Sequence, residues 1–392
     1  MSPTQLGPKL LSWASEIDDN TIEQARETAL MPFVRPHIAL MPDAHSGKGA
    51  AVGTVIPTLG AVIPAAVGVD VGCGMGAIET RFTAADIAGR DLAVLREAIE
   101  QAIPLSPGNY NTGVERDHTA ARIEELEELA HRNQVDLTHS PNWREQLGTL
   151  GGGNHFIELC LDERDHVWLF LHSGSRGVGN RIARKHIKTA QQLCERWWIQ
   201  LPNPELAYLP EGTREFTAYI KELAWAQKFA SLNRADMLDR YATEFAHWLG
   251  VDDHQEADRI LSHHNYTRKE RHFNKDVWLT RKGAVDAHPG VRSMIPGSMG
   301  TSSYVVEGKG CAAALHSAPH GAGRRMSRNE AKKKFTAEDL ADRMKGIEYR
   351  PGEEWVDEIP DAYKPISQIM FDAAPLVTVL HELRQVLNVK GT

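Results

Sequence analysis

A carboxylate and a thiol three positions apart, Asp70 and Cys73, stand in a stretch punctuated by glycines at 68, 72, 74 and 76. Glycine tolerates positive φ and close backbone approach. The run Pro64-Ala-Ala-Val-Gly68-Val-Asp70-Val-Gly72-Cys73-Gly74-Met75-Gly76 therefore predicts a strand entering a tight bend that aims both side chains at one point. Its spacing fits the G-x-G-x-x-G dinucleotide turn poorly. Histidines recur in similar settings: His155 after Gly151-Gly152-Gly153-Asn154, His172 at the end of an apolar run, and the pair His263-His264. Thiolate and imidazole suit borderline metals such as Zn, Mn, Fe or Co, and a carboxylate shifts the balance toward harder ions. Asp70, Cys73, His155, His172 and one of His263 or His264 make five ligands, more than one tetrahedral ion needs. A thiolate can bridge two ions, so the set suits a two-metal site that clamps a phosphate. The chain has 18 histidines, and any one of them taken singly reads equally well as a core or surface residue.

A second group lies further on. Gly297-Ser298-Met299-Gly300 and His320-Gly321-Ala322-Gly323-Arg324 are turns whose backbone N–H groups can cradle anionic oxygens, and Arg324 can add a bidentate phosphate contact. A histidine at the lip of such a turn can serve as a base or as a nucleophile on phosphorus. Basic residues cluster nearby: Arg324, Arg325, Arg328 and Lys332 to Lys334, with Arg176, Arg181, Arg184 and Lys185 after His172. These are candidate contacts to a polyanion's phosphates, or solvated helix faces.

Short strands and their loops must hold these groups. Ile38 to Gly49 reads as an apolar strand running into a polar, glycine-spaced loop, and Ala51 to Pro57 and Ala61 to Val67 read as β-type runs, as do residues 156 to 160 and 167 to 172. His172-Ser-Gly-Ser-Arg176-Gly-Val-Gly-Asn180 reads as a glycine loop. Helical spacing appears at 21–30, with Asn20 or Thr21 as N-cap, at 91–100, 120–130 and over most of 181–250. From 262 onward short strands alternate with glycine loops. A polar Pro/Glu segment then precedes a last helix or strand ending at Lys390-Gly391. Strands and helices do not alternate as βαβ units, and the chemical residues are scattered from 43 to 324. The expectation is one α+β domain over 1–392, mixed sheets flanked by helices, its site built from glycine-rich loops at strand ends.

The totals narrow the class. In 392 residues, 42% are hydrophobic and 24% charged, an ordinary globular composition. Net charge is -8, which argues against a surface coated for nonspecific nucleic-acid binding but leaves room for a local basic groove. Four cysteines are too few for a disulfide scaffold and point to a reducing compartment. No run reaches membrane-spanning length, and no basic-then-apolar leader opens the chain. A cytoplasmic location is expected.

Taken together the motifs resemble the RtcB family of RNA-splicing ligases. The likeness rests on Met41-Pro-Asp43-Ala-His45, Gly68-Val-Asp70-Val-Gly-Cys73-Gly-Met75 and Leu147-Gly-Thr-Leu-Gly-Gly-Gly-Asn154-His155-Phe156-Ile-Glu158. It continues through His172-Ser-Gly-Ser-Arg176-Gly, His263-His264-Asn265-Tyr266, Thr280-Arg-Lys282-Gly-Ala, Pro296-Gly-Ser-Met-Gly, His320-Gly-Ala-Gly-Arg324 and Val389-Lys390-Gly391. Nine motifs in the family's order are specific where one would not be. The resemblance implies a GTP- and Mn²⁺-dependent ligase joining an RNA 3′-phosphate or 2′,3′-cyclic phosphate to a 5′-hydroxyl through a histidine–GMP intermediate. Carried over residue by residue, Asp70, Cys73, His155, His172 and His264 would hold two Mn²⁺ ions, with Cys73 bridging. His320 would be the nucleophile, oriented by Asp43. Asn154, Ser298 and Arg324 would serve the nucleotide's phosphates, and Phe156, Glu158, Ser303, Tyr363 and Lys390 the guanine. Arg176, Arg325 and Arg328 would meet RNA. A monomer is implied, with an archease-type activator as a possible partner and no membrane. The chain departs from the family at Ser46, at His316 and Pro319 before the nucleophile, and through 101–146, which bears on the choice of RNA. The competing readings are a two-metal cyclic phosphodiesterase and an RNA-end-binding repair factor without ligation.

Overall fold

The computed structural model of the chain describes residues 2–113 and 116–391. Its first sheet has six strands in the order Thr4–Gly7, Leu10–Ser12, Ile38–His45, Val52–Thr58, Lys275–Lys282 and Asn265–His272. Neighbours run antiparallel except Leu10–Ser12 with Ile38–His45. The second sheet runs Glu256–His263, Gly74–Thr83, His166–Ser173, Phe156–Leu161, Val377–Lys390, Ser303–Gly308 and Arg292–Ile295, with Glu348–Tyr349 parallel to Val377–Lys390 as its eighth strand. Mixed sheets flanked by helices make this the α+β class that the sequence predicts. Pairings such as Val52–Thr58 with Lys275–Lys282 tie early segments to late ones.

The two sheets meet at one residue. Glu256–His263 ends in the larger sheet and Asn265–His272 begins in the smaller, so His264 is the joint between them. Its N–H donates to the Cys73 carbonyl at 2.7 Å, and its own carbonyl accepts from Ala284 N–H at 3.1 Å. Beneath the larger sheet runs the helix Arg214–Leu249, capped by the Thr213 hydroxyl on Phe216 N–H and closed by Gly250 in the left-handed region. Its Met237, Leu238, Tyr241 and Phe245 pack with Leu169 and Leu171 of the sheet and are fully buried. Each such Leu, Met or Phe contributes about 1.5–3 kcal/mol over exposure. This packing gives the larger sheet a rigid floor.

Local structure departs from expectation at several points. Pro64–Val67 is a short helix rather than strand, because proline at the first helical position presets φ and two alanines favour the turn. Only Ala61–Val62 of that run pairs as strand. The first helix spans Asp19–Ala29, and its cap is Asp18, which accepts from Thr21 N–H at 2.8 Å, so neither Asn20 nor Thr21 fills that role. The glycine-bearing segment after His172 is already helical at Arg176, the start of Arg176–Arg196, where packing of Val178 and Ile182 outweighs two glycines in the first turn. The chain ends on the strand Val377–Lys390. Among the described residues no helix is long and apolar enough to cross a membrane.

Candidate active site

Strand register gathers the first group. His172, on His166–Ser173, lies opposite Met75 on one side and Phe156 on the other. Cys73 sits just before Met75's strand, and His155 just before Phe156's. Asp70 fits against the turn after His172 only because residue 174 is glycine, where a Cβ would fall 2.0 Å from Asp70 Oδ1. The result is tight. Cys73 Sγ lies 3.0 Å from His172 Nε2 and 3.5 Å from His155 Nε2. His155 Nε2 is 3.1 Å from Asp70 Oδ2, and His172 Nε2 is 3.3 Å from His264 Nε2. His263 points elsewhere, its Nδ1 accepting from the buried Arg234 at 2.8 Å. The geometry thus brings His264 rather than His263 to the cluster.

The donor chemistry suits cations. The Nδ1–H groups of His155 and His172 donate to the Leu150 and Asn154 carbonyls, each at 3.0 Å. That fixes the tautomer and leaves both Nε2 atoms facing the thiol. His264 Nδ1 is buried with no partner among the described residues. Burial, then neighbouring imidazoles, holds His172 and His264 well below the ordinary histidine range, so both are neutral, as ligands must be. Burial opposes ionisation of Asp70, but the adjacent His155 prevails and holds its carboxyl at about 2. Burial and then Asp70 push the Cys73 thiol up, so a bound cation would have to displace its proton. Cys73, His155 and His172 also form a compact three-ligand group by distance. The residues fit a metal.

Asp43 and His320 come from opposite ends of the chain. Asp43 lies where the register of Ile38–His45 slips, and it is wholly buried. Its Oδ2 accepts from His320 N–H at 3.1 Å and from His320 Nδ1–H at 2.6 Å, while Oδ1 has no partner among the described residues. Lys364 Nζ pins the strand by donating to the Glu16 and Ala44 carbonyls at 2.5 and 2.8 Å. Gly323, at φ +69, is required by contact as well as by φ: a Cβ would stand 2.3 Å from Asp43 O. The ring of His320 meets that of His264 edge-on at 4.6 Å, so the Asp43 pair abuts the ligand cluster.

A third group forms across the strands Phe156–Leu161 and Val377–Lys390, where Phe156 faces Lys390 and Glu158 faces Asn388. Asn388 Nδ2 donates to Glu158 Oε1 at 2.8 Å. Lys390 Nζ and Tyr363 Oη both donate to Glu358 Oε2 at 2.9 Å, and Arg324 donates to Tyr363 Oη at 3.0 Å. Burial pushes the Glu158 carboxyl up to about 8 against the pull of Lys390. Glu358 is also buried, yet Lys390 and then Arg328 hold it at about 2. One ammonium thus stands among two unlike carboxyls.

All three groups open on one cavity of about 270 Å³. Its lining includes Asp70, Cys73, His172, His264 and His320, then Asn154, Phe156, Glu158, Ser298, Arg324, Tyr363 and Lys390. Arg328 also lines it, ion-paired with Asp357 and Glu358. Ser303 lies outside this lining, buried, its hydroxyl accepting from Gly297 N–H at 3.4 Å. Arg176 turns inward to Thr149 Oγ1 and the Leu150 carbonyl, bracing the loop that orients His155. Arg325 is exposed and donates to Asp361 O. Residue-type reasoning did not single out Glu358, Asn388, Lys364 or Arg234. Glu358 sits in the segment read as polar surface, and the only signal for it is the lysine two positions from the C-terminus needing a buried counter-charge.

Against known proteins, the sequence matches the family described as tRNA-splicing ligase RtcB over residues 24–391. It is 46% identical to the RNA-splicing ligase RtcB1 of Escherichia coli strain ATCC 25922, covering 96% of this chain and 95% of that one. It is 45% identical, with the same coverage, to the RNA-splicing ligase RtcB of E. coli K12. The tRNA-splicing ligase RtcB of Pyrobaculum aerophilum is 29% identical over 90% of this chain and 87% of its own.

Proposed function

The chain belongs to the RtcB family of RNA-splicing ligases, and from that premise we propose that it seals RNA 3′-phosphate ends to 5′-hydroxyl ends with GTP and Mn²⁺. A 2′,3′-cyclic phosphate would first be opened by hydrolysis. The observation that carries the reading is the His320–Asp43 pair set against the Cys73 cluster in one cavity. With Nδ1–H held by a buried carboxylate, Nε2 of His320 is the free nucleophilic atom.

In the proposed sequence His320 Nε2 attacks the α-phosphorus of GTP. An N–P bond forms and pyrophosphate leaves. An oxygen of the RNA 3′-phosphate then takes the GMP, breaking the N–P bond and forming a phosphoanhydride. The 5′-hydroxyl attacks the RNA phosphorus, loses its proton, and expels GMP. Asp43 holds the ring throughout and offsets the positive charge it acquires. Asp70, Cys73, His155, His172 and His264 would hold two Mn²⁺ ions. Bound there, manganese would offset the negative charge gathering at phosphorus. Asn154, Ser298 and Arg324 would bind phosphate oxygens. Phe156 and Tyr363 offer aromatic faces to guanine, and Glu158 and Lys390 offer an acceptor and a donor, with Ser303 supporting the Gly297 turn. Arg325 and Arg328 would meet RNA, and Arg176 would act by bracing the His155 loop. The same reading makes the protein a cytoplasmic, monomeric, one-domain enzyme open to an archease-type activator.

The test is labelled RNA ending in a 3′-phosphate or, in a parallel reaction, a 2′,3′-cyclic phosphate, mixed with a 5′-hydroxyl partner. A joined strand requiring GTP, Mn²⁺ and His320 is expected. Opened cyclic ends with no joined product would make the protein a phosphodiesterase instead.

A further inference from the structure

A second cavity, of about 600 Å³, shares Asp70, Asn265 and Lys282 with the first. One face of the helix Arg176–Arg196 lines it through Arg184, Ile187, Lys188 and Gln191, the i, i+3, i+4, i+7 spacing of a single stripe. That stripe extends roughly 10 Å along the helix axis. Lys48 lines the cavity as well, and Lys282 Nζ donates to the Lys48 carbonyl, holding an ammonium at the shared wall. Four cations, Lys48, Arg184, Lys188 and Lys282, therefore face two carboxylates, Asp70 and Glu205.

The pairing of these cations separates them from their neighbours. Lys185, on another face of the same helix, is ion-paired with Asp136 and Glu222. Arg181 donates to the His139 carbonyl. Arg184 has only the Asn180 amide oxygen at 2.7 Å, and among the described residues no carboxylate pairs with Arg184, Lys188 or Lys48. On a chain of net charge -8, cations without carboxylate partners along a trough beside the ligand cluster make a locally basic surface of the kind that attracts a polyanion. Val69 and Ile187 give the same trough apolar surface for ribose and base.

We propose that this trough holds the sugar–phosphate backbone of one RNA end as it approaches the reaction centre, with Arg184 and Lys188 gripping successive phosphates. The inference rests on the ligase reading for the identity of the polyanion and adds where it lies. The backbone could belong to the 3′-phosphate strand or to the 5′-hydroxyl strand, and the experiment separates them.

The test is the double variant Arg184→Ala/Lys188→Ala, with Arg271→Ala/Lys275→Ala, exposed and remote in the sheet, as a charge-matched control. Each RNA end is titrated separately for binding over a salt series, and KM for each is measured in ligation. For one end, KM should rise about ten-fold or more. The slope of log K against log salt for that end should fall by about 1.4, two contacts at roughly 0.7 each for single strands. The control should match wild type. Unchanged KM and unchanged slope for both ends would overturn the proposal. Binding of RNA needs no GTP, so absent guanylylation at His320 would count against the ligase reading alone, while the salt slopes still judge the trough.

Discussion

Replacing Asp43 with asparagine changes one atom in the pair that is proposed to prepare the nucleophile. Oδ2 now accepts two N–H groups of His320, at 3.1 and 2.6 Å, and Oδ1 is buried without a partner among the described residues. If the new amide's oxygen takes the Oδ2 place, its NH₂ falls where no acceptor waits. An orphaned buried donor costs about 1–3 kcal/mol. If the amide turns the other way, its NH₂ faces the His320 backbone N–H and donates to Nδ1. The ring proton is then forced onto Nε2, the atom meant to attack. Either orientation also removes the anion that offsets charge on the ring, a charge-assisted bond of about 1.5–3 kcal/mol. A loss of about 2.7 kcal/mol in the barrier is about 100-fold in rate. The assay is single-turnover transfer from α-labelled GTP to Asp43→Asn at saturating GTP and Mn²⁺. The rate should drop about 100-fold while the concentration dependence on GTP barely moves. A rate within three-fold of wild type, in a variant of unchanged Tm, would refute the reasoning.

Other outcomes follow from the same geometry. Cys73→Ser puts a hydroxyl that stays protonated near neutral pH where a thiolate ligand is proposed, so manganese bound in equilibrium dialysis should fall from two ions to fewer than one; two tightly held ions would contradict that role. Glu158 titrates at about 8 in the folded protein against an ordinary value of 4.5. Between those pH values the folded state keeps a proton that the unfolded chain has lost, so wild-type stability declines as pH rises through the window. Glu158→Gln carries no such proton, and its Tm advantage over wild type should grow from pH 5 to pH 8 and level off above, as read by thermal unfolding without nucleotide. A constant difference across that range would dismiss the buried-acid account of Glu158.

What the sequence made legible is tied to residue type. A cysteine, a carboxylate and histidines beside glycines are few enough to be picked out, and the strands that carry them show in short β-branched runs. Residue type could not separate His264 from His263, because the two differ only in which sheet their neighbours join, and it was the family resemblance that named His264. Pro64–Val67 misled because an apolar run bounded by glycine looks the same whether it is extended or coiled for one turn. Glu358 was hidden for another reason: its counter-charges, Lys390 and Arg328, come from distant segments, and a glutamate among Glu353, Glu354 and Asp357 looks like solvated surface until the fold buries it. Arg184 was legible only as part of a basic run and Lys188 was not singled out, since charge alone does not say which cations fold against carboxylates.

The central claim, that the ring of His320 carries the nucleotide between GTP and RNA, is tested most directly by peptide mass mapping after incubation with GTP and Mn²⁺. The account predicts a GMP mass on the peptide containing His320, labile to acid, absent in chelator, and discharged when 3′-phosphate RNA is added. Ligated product with no such mass, or with GMP on a lysine instead, would contradict it.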